Sequence, residues 1–282
     1  MGKKNGPYAG ITGFMTLAEV VHCNNTFCAA RAGIHWMLRK DDGLKFMVGV
    51  LVSSKTLMGG TNKYPNRYPP VGRVAEIFSL AEPHLLRTIH YNTDDAATID
   101  EQVDQVMALA PGAIDAIQLN IRWVSPVKLQ RIRRKYPDLR IILQIGAGAL
   151  ADVTEPEDIY IGGALRAYDG VADDFLVDPS GGKGEALDIW KAFACLADQD
   201  IPASMRGGAA GGRDADNIRA FKGFMRRYQR VINMDAEGRM RTPHVGDDWD
   251  HLDLGKADRF LIACISLADE VSTEFSKVLA AA

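Results

Sequence analysis

Short apolar runs alternate with longer amphipathic stretches along this chain. Eight of these runs are rich in Ile, Val and Leu and end in polar residues or glycine. Such near-continuous runs are typical of strands that are buried on both faces of a parallel sheet. The predicted strands are Tyr8–Thr12, Leu44–Val52, Leu85–Asn92, Ala113–Asn120, Arg140–Gly146, Asp174–Asp178, Ala203–Gly207 and Arg230–Met234.

The stretches between these runs predict amphipathic helices, because apolar residues recur in them every three or four positions. Ser125-Pro126 adds a helix-start signal, an N-cap residue followed by proline at the first helical position. The clearest predicted helices are Thr98–Leu109, Ser125–Arg134, Asp214–Tyr228 and Ala257–Leu279.

Eight strand signals that alternate with helices predict an α/β fold, a single (β/α)8 TIM barrel over residues 1–282. A doubly wound sheet is the alternative. The G-x-G-x-x-G turn that usually follows the first strand of such sheets is absent, and the nearest fragment is Gly146-Ala147-Gly148.

The longest irregular segment runs from Ser53 to Arg73, directly after the second predicted strand. A barrel would place it on the catalytic face, where loops of this length often act as active-site lids. A decorative surface insertion is the alternative.

Composition excludes several classes of protein. The chain has 282 residues, 47% of them apolar and 24% charged, which are values for a globular protein. A net charge of −3 does not favour binding to nucleic acid, which is itself negatively charged. No apolar stretch has the length of a membrane span. We expect a cytoplasmic location, because the amino terminus lacks the apolar region of a signal peptide and the four cysteines form no zinc or disulfide pattern.

Polar residues stand where the predicted strands end. In a barrel these ends form the catalytic face, and a buried polar group without a partner costs about 1–3 kcal/mol. Several such groups at one end therefore favour a ligand site. The strand-end candidates are Thr88, His90, Asn92, Gln118, Asn120, Gln144, Asp178, Arg206, Asn233 and Asp235.

Glycines after strand seven suggest an anion site. Gly207-Gly208 would let backbone N–H groups approach a phosphate, next to Arg206 and to a predicted helix start. A plain flexible turn is the alternative. Asp235 and Glu237 in the neighbouring loop oppose a phosphate, because they add negative charge there.

Five short motifs lie in the order and spacing of one known family. In that family's form they read Cys-Gly-Ile-Thr, Ser-Pro-Arg-Tyr-Val, Leu-Gln-Leu-His, an Asp followed by Gly-Gly-x-Gly, and Ala-Gly-Gly-Leu. Their counterparts here are Ala9-Gly10-Ile11-Thr12, Pro65-Asn66-Arg67-Tyr68-Pro69, Ile117-Gln118-Leu119-Asn120, Asp178 with Gly181-Gly182-Lys183-Gly184, and Arg206-Gly207-Gly208-Ala209. The chain thus resembles phosphoribosylanthranilate isomerase, a (β/α)8 enzyme of tryptophan biosynthesis.

The resemblance implies an Amadori rearrangement of an aminoaldose phosphate, without metal or organic cofactor. The family's general acid maps to Asp178, and its anthranilate-holding arginine maps to Arg67. Its cysteine base maps to Ala9, which cannot take a proton, so His90 is the expected stand-in because histidine titrates near neutral pH. Gly181, Gly182, Arg206, Gly207 and Gly208 are the expected phosphate-binding residues, although the family's Ser-Ser-Gly after strand eight is replaced by acidic residues.

Two classes of function follow. The first is a cofactor-independent isomerase of the aldose–ketose type, or a related lyase, that acts on a sugar phosphate or similar polar metabolite. Its substrate would contact Arg67, Gln118, Asn120, Gln144 and Asn92. The alternative is a metabolite-binding barrel that lost its catalytic base. The expected partner is a small molecule, with or without phosphate, and not nucleic acid or a membrane; a homodimer is left open.

Overall fold

The computed structural model describes residues 5–34, 43–153, 161–178, 194–197, 200–243 and 249–281. Eight strands occur in this part of the chain. They are β1 (Tyr8–Thr12), β2 (Lys45–Ser53), β3 (Leu85–Asn92), β4 (Ala116–Asn120), β5 (Arg140–Gly146), β6 (Asp174–Asp178), β7 (Arg206–Ala209) and β8 (Asn233–Ala236).

The strands form a closed parallel barrel in sequence order, and β8 pairs with β1 to complete the ring. This confirms the predicted (β/α)8 fold. All nine residues of β2 are buried, as expected for a strand with the barrel interior on one face and helices on the other.

Helices surround the barrel. They are α1 (Leu17–Arg31), α2 (Ser54–Leu57), α3 (Val74–Ile77), α4 (Ile99–Met107), α5 (Pro126–Lys135), α6 (Ala147–Ala151), α7 (Ile161–Leu165), α8 (Lys222–Tyr228) and α9 (Leu254–Ala281). A capping box between Thr16 and Glu19 starts α1. Helix α9 packs on α1, where the Thr26 hydroxyl donates to Asp258 Oδ1 at 2.7 Å. The predicted helix starting at Pro126 is confirmed, but the Ser125 side chain makes no capping hydrogen bond.

Three strand starts differ from the prediction by three residues. Strands β4, β7 and β8 begin at Ala116, Arg206 and Asn233. The three residues before each of these starts lie outside the strands; before β7, for example, a turn forms in which Met205 N donates to Pro202 O at 2.9 Å. Strand limits therefore follow backbone pairing rather than the limits of the apolar run.

The predicted helix Asp214–Tyr228 forms only in its second half. The Asp214 carboxylate accepts hydrogen bonds from the backbone of Asp216 and Asn217, and a 3-10 turn over Ile218–Phe221 follows. Short polar side chains favour such local bonding over an α-helix.

Two apolar layers form the core. One lies between barrel and helices, where Phe27 of α1 stacks on Phe46 of β2 at 5.5 Å between ring centroids. The other fills the barrel with Tyr8, Met47, Leu86, Ala116, Ile142, Leu176 and Ala210. At the amino ends of the strands, Arg140 makes a buried ion pair with Asp174, with 2.6 Å between Nε and Oδ2. This ion pair closes the end of the barrel opposite to the predicted site.

The segment from residue 53 to residue 73 is partly ordered into short elements. It contains α2 and two 3-10 turns, Pro65–Arg67 and Val71–Arg73. None of the helices in the described part of the chain combines the length and apolar character needed to cross a bilayer.

Candidate active site

Polar side chains converge at the carboxyl ends of the strands. Alternate residues of a strand face the same side, so the inward positions repeat every second residue. The predicted residues on β3 to β6 follow this rule, and all of them except Thr88 line the cavities described next. Strands β1 and β8 add Thr12, Asp235 and, just beyond β8, Glu237 to the same face.

Two neighbouring cavities lie at this face. The outer cavity has a volume of about 360 Å³ and includes Arg67, Asn92 and Asn120 in its lining. The inner cavity has about 20 Å³ and is lined by His90, Gln118, Gln144, Asp178, Ala210, Gly211, Gly212, Asp235, Glu237 and Gly238. Gln144 and Glu237 line both, so a ligand in the outer cavity can extend one small group inward.

A chain of amide side chains supports Asp178. Gln118 Nε2 donates to Gln144 Oε1 at 3.1 Å and to Asn120 Oδ1 at 3.1 Å, and Gln144 Nε2 donates to Asp178 Oδ2 at 2.7 Å. Gln118 Oε1 is buried without a hydrogen-bond partner. An orphaned acceptor of this kind costs about 1–3 kcal/mol, which a ligand that donates to it would recover.

Asp235 is a strongly perturbed carboxyl group of the site. It is 4% exposed and accepts hydrogen bonds from Thr12 Oγ1 at 3.1 and 3.3 Å. Burial raises the pKa of Asp235 to about 7, and the charges of Glu237 and Asp178 act in the same direction. The group therefore exchanges a proton near neutral pH, which suits general acid–base catalysis.

His90 occupies the expected position but has unexpected properties. Its ring is fully enclosed, with Nε2 3.3 Å from Thr12 Oγ1 and 3.5 Å from Met47 Sδ. Burial lowers the pKa of His90 to about 3. A neutral imidazole with so low a pKa is a weak proton acceptor, so these contacts disfavour His90 as the base.

Arg67 is held by two carboxylates. Its Nε and Nη2 donate to Asp250 Oδ2 and Oδ1, both at 2.7 Å, and Nη1 donates to Glu237 Oε1 at 2.8 Å. The guanidinium also lies 4.3 Å from the Tyr64 ring centroid. Burial lowers the pKa of Arg67, but the hydrogen bonds to Asp250 and Glu237 more than offset this, so the net shift is upward. The arginine lines the cavity with its charge already compensated.

The sequence placed Arg206 at the carboxyl end of strand seven, beside the site, and this prediction is wrong. It begins β7 and pairs in register with Asp174, at the amino end of the barrel and opposite to Asp178. Gly207 and Gly208 lie inside the strand. A Cβ at Gly207 would meet Leu196 at 2.5 Å, and one at Gly208 would meet Asn233 at 2.6 Å, so these glycines permit tight packing. They do not form a phosphate-binding loop.

A second glycine pair does follow the strand. Gly211 and Gly212 have φ angles of +84° and +60° and line the inner cavity. Arg213 Nε donates to Gly211 O at 3.0 Å, and its guanidinium carbon lies 5.4 Å from the centroid of the Phe221 ring. The other predicted phosphate-binding glycines, Gly181 and Gly182, lie outside the described residues.

Known structures of the same architecture were found by fold comparison. Phosphoribosylanthranilate isomerase from Thermus thermophilus is 16% identical, with a TM-score of 0.57 over 92% of this chain and 98% of that one. The enzyme from Thermotoga maritima is 16% identical, with a TM-score of 0.56 over 90% and 96%. TrpF from Jonesia denitrificans is 13% identical, with a TM-score of 0.52 over 96% and 98%. The fold is that of the phosphoribosylanthranilate isomerases.

Sequence comparison alone does not reach this result. No family model matches the chain, and no curated protein matches it in sequence. The similarity to the isomerases is therefore one of backbone architecture.

The isomerase-like motif on β1 takes an unexpected orientation. Ala9 belongs to the apolar layer between barrel and helices, whereas its neighbours Tyr8 and Gly10 face the interior. A thiol at position 9 would point away from the site of this isomerase-like barrel. The inward position at this level is Gly10, beside Asp235. The Ala-Gly-Gly part of the strand-seven motif likewise recurs as Ala210-Gly211-Gly212, at the carboxyl end of β7.

Sequence analysis assigned no role to Thr12 and Asp250, and it treated Asp235 and Glu237 mainly as acidic residues that oppose a phosphate. A signal for a larger role of Asp235 existed, since Asn233 and Asp235 share a face of β8 and Glu237 follows two residues later. The pairing of Asp250 with Arg67, 183 positions apart, has no local signal.

Proposed function

We propose that this protein is an acid–base enzyme that isomerises a small polar aminoaldose at the carboxyl end of its barrel. One observation supports the proposal above the others. Carboxyl groups from β6 and from β8, those of Asp178 and Asp235, line one small buried cavity. Burying two carboxyl groups together costs hydration, and transfer of a proton between these groups and a substrate gives that arrangement a use.

We assign the acid to Asp178 and the base to Asp235. Asp178 lies at the end of β6 and is oriented by Gln144. Asp235 lies beside β1, the strand that carries the base in the family that the sequence resembles, and its pKa of about 7 matches the operating pH. His90 becomes a packing partner of Thr12 in this assignment.

The proton transfers balance without a further reactant. Asp178 donates a proton to the ring oxygen of the aminoaldose, and the ring opens to an iminium ion. Asp235 then removes the proton from C2, and the electron pair of the C2–H bond moves toward the nitrogen. The resulting enaminol gains a proton at C1 and loses one from the C2 hydroxyl, which yields the aminoketose and restores both carboxyl groups.

A related structure supports the substrate class. A phosphoribosylanthranilate isomerase with a TM-score of 0.55 and 14% identity, over 91% of this chain and 96% of that one, holds reduced 1-(o-carboxyphenylamino)-1-deoxyribulose 5-phosphate. A barrel of this architecture therefore accommodates an N-substituted amino sugar derivative.

The test is isomerisation in D2O, followed by NMR. N-ribosylanthranilate and its 5-phosphate serve as substrates, and deuterium at C1 of the aminoketose reports how far the abstracted proton exchanges with solvent. We expect turnover by the wild type and a loss of about 10²–10⁴-fold in both Asp178→Asn and Asp235→Asn. Asp216→Asn removes an exposed carboxylate outside the two cavities and serves as the matched control.

Each other outcome is informative. Unchanged turnover in Asp235→Asn, together with loss in His90→Asn, would return the base to His90. Binding of both sugars without turnover by the wild type would contradict the enzyme and favour the non-catalytic metabolite-binding barrel.

A further inference from the structure

Among the described residues, the side chains that line the two cavities carry a charge that does not suit a phosphorylated ligand. Asp178, Asp235 and Glu237 line the inner cavity. Among the described residues that line the two cavities, the cationic side chains are Arg67 and Arg122. Arg67 is bound by Asp250 and Glu237, and Arg122 is 63% exposed and paired with Asp152.

The glycine pair after β7 has acidic neighbours. Gly211 and Gly212 share the inner cavity with Asp235 and Glu237. A phosphate at these glycines would lie against like charges, which opposes binding. The same carboxylates would attract a cation.

An independent observation points to a ligand that donates hydrogen bonds. Gln118 is 2% exposed and lines the inner cavity, and its Oε1 has no hydrogen-bond partner. Both donors of its amide are already used by Asn120 and Gln144. The unmet need is therefore for a donor, which a phosphate at neutral pH supplies poorly.

An ammonium group fits these requirements. It carries three N–H donors and no acceptor. The inner cavity offers Gln118 Oε1 and the carboxyl groups of Asp178 and Asp235 as acceptors, and its volume of about 20 Å³ holds one group of the size of a water molecule.

We propose that the inner cavity binds the ammonium group of an unphosphorylated substrate, with Gln118, Asp178 and Asp235 as its acceptors. The inference rests on the proposed function, because the same carboxyl groups act there as acid and base. It makes the substrate an aminoaldose that carries an ammonium group, separate from the nitrogen at C1, in place of a phosphate. A bound cation also favours the ionised form of Asp235, which prepares it to accept a proton.

Three probes of one carbon skeleton test the charge preference. Serinol carries an ammonium group where glycerol carries a hydroxyl and glycerol 2-phosphate a phosphate. Titrations of the wild-type protein are followed by NMR at the Gln118 side-chain amide. We expect serinol to bind at least tenfold more tightly than glycerol, and glycerol 2-phosphate to bind more weakly than glycerol. Equal affinities, or tighter binding of the phosphate, would overturn the proposal.

Variants show which residues cause the preference for serinol. Asp235→Asn should reduce the serinol preference to less than threefold, whereas the exposed control Asp216→Asn should keep it. A preference that survives in folded Asp235→Asn would place the ammonium elsewhere and contradict the proposal. Displacement of serinol by Mg²⁺ at a lower concentration than serinol itself requires would make the cavity a metal site.

The wild-type comparison does not depend on the folding of any variant. It also separates this inference from the proposed function, because serinol is not a substrate. Serinol selectivity without aminoaldose turnover would refute the enzyme alone. Turnover without selectivity would refute only the ammonium site.

Discussion

The carboxyl group of Asp235 on β8 lies against the backbone of Gly10 on β1. A β-carbon on residue 10 would stand 3.0 Å from Asp235 Oδ1 and would also meet Met47 Cε. The absence of a side chain on β1 therefore provides the space that the β8 carboxyl group occupies. The base that the sequence lacks at Ala9 is replaced, in this account, from the neighbouring strand across the barrel seam.

Gly10→Ala should disturb this arrangement. We expect a loss of about 1–3 kcal/mol in the free energy of unfolding, because overpacked interiors force side chains out of place. Turnover should fall as the Asp235 carboxyl group moves. Gly223→Ala in α8 is the control, since a Cβ there meets no atom within 4 Å. A Gly10→Ala protein with wild-type stability and activity would show that Asp235 does not depend on the space beside Gly10.

Stability should respond to pH through Asp235 and His90 in opposite directions. The folded-state pKa of Asp235 is raised from 3.8 to about 7, so its contribution decreases as pH rises from about 4 to about 7. The folded-state pKa of His90 is lowered from 6.5 to about 3, so its contribution decreases as pH falls from about 6.5 to about 3. Each pKa unit corresponds to about 1.4 kcal/mol.

Urea unfolding of two variants separates these effects. Relative to wild type, Asp235→Asn should gain stability as pH rises from 4 to 7, and His90→Gln should gain stability as pH falls from 6.5 to 3. Asp216→Asn and His22→Gln change exposed residues and serve as controls. A constant difference between Asp235→Asn and wild type across this range would show that Asp235 has an ordinary pKa.

Arg67→Lys should destabilise the protein strongly. Lysine cannot reproduce the two-pronged contact with Asp250 and the bond to Glu237, so buried carboxylates lose a partner, at a cost of about 3–5 kcal/mol. Arg73→Lys is the matched control, because its pair with Glu76 is exposed to solvent and contributes little to stability. Thermal unfolding measures both, and equal effects would contradict the structural role assigned to Arg67.

Substitution of Arg206 should leave ligand binding unchanged. This residue begins β7, at the end of the barrel that is opposite to the cavities. Gly212→Val, in contrast, places a branched side chain at a φ of +60° in the cavity wall and should weaken serinol binding at least tenfold. Weaker binding in folded Arg206→Gln would restore the residue to the site.

Much of the fold was predictable from the sequence because two-residue alternation is a local property. It identified the inward positions His90, Gln118, Gln144 and Asp178 correctly. The limits of β7 were not predictable in this way, since Arg206-Gly207-Gly208-Ala209 has little apolar character. Its glycines are selected by packing against Phe175 and Asn233, which belong to distant parts of the chain.

The site chemistry was less predictable than the fold. A sequence shows that Arg67 is charged, but not that Asp250 compensates the charge. It shows that His90 titrates near neutral pH in water, but not that burial moves its pKa to about 3. Both properties arise from partners and burial that exist only in the closed barrel.

The most direct test of the central claim is the pKa of Asp235, measured by NMR of aspartate carboxyl carbons between pH 3 and pH 9. Comparison with Asp235→Asn assigns its signal. We expect a midpoint near 7 in the wild type and a lower midpoint in Asp178→Asn, because the Asp178 charge contributes to the upward shift. A midpoint near 4 that does not respond to the Asp178 substitution would contradict a catalytic carboxyl pair.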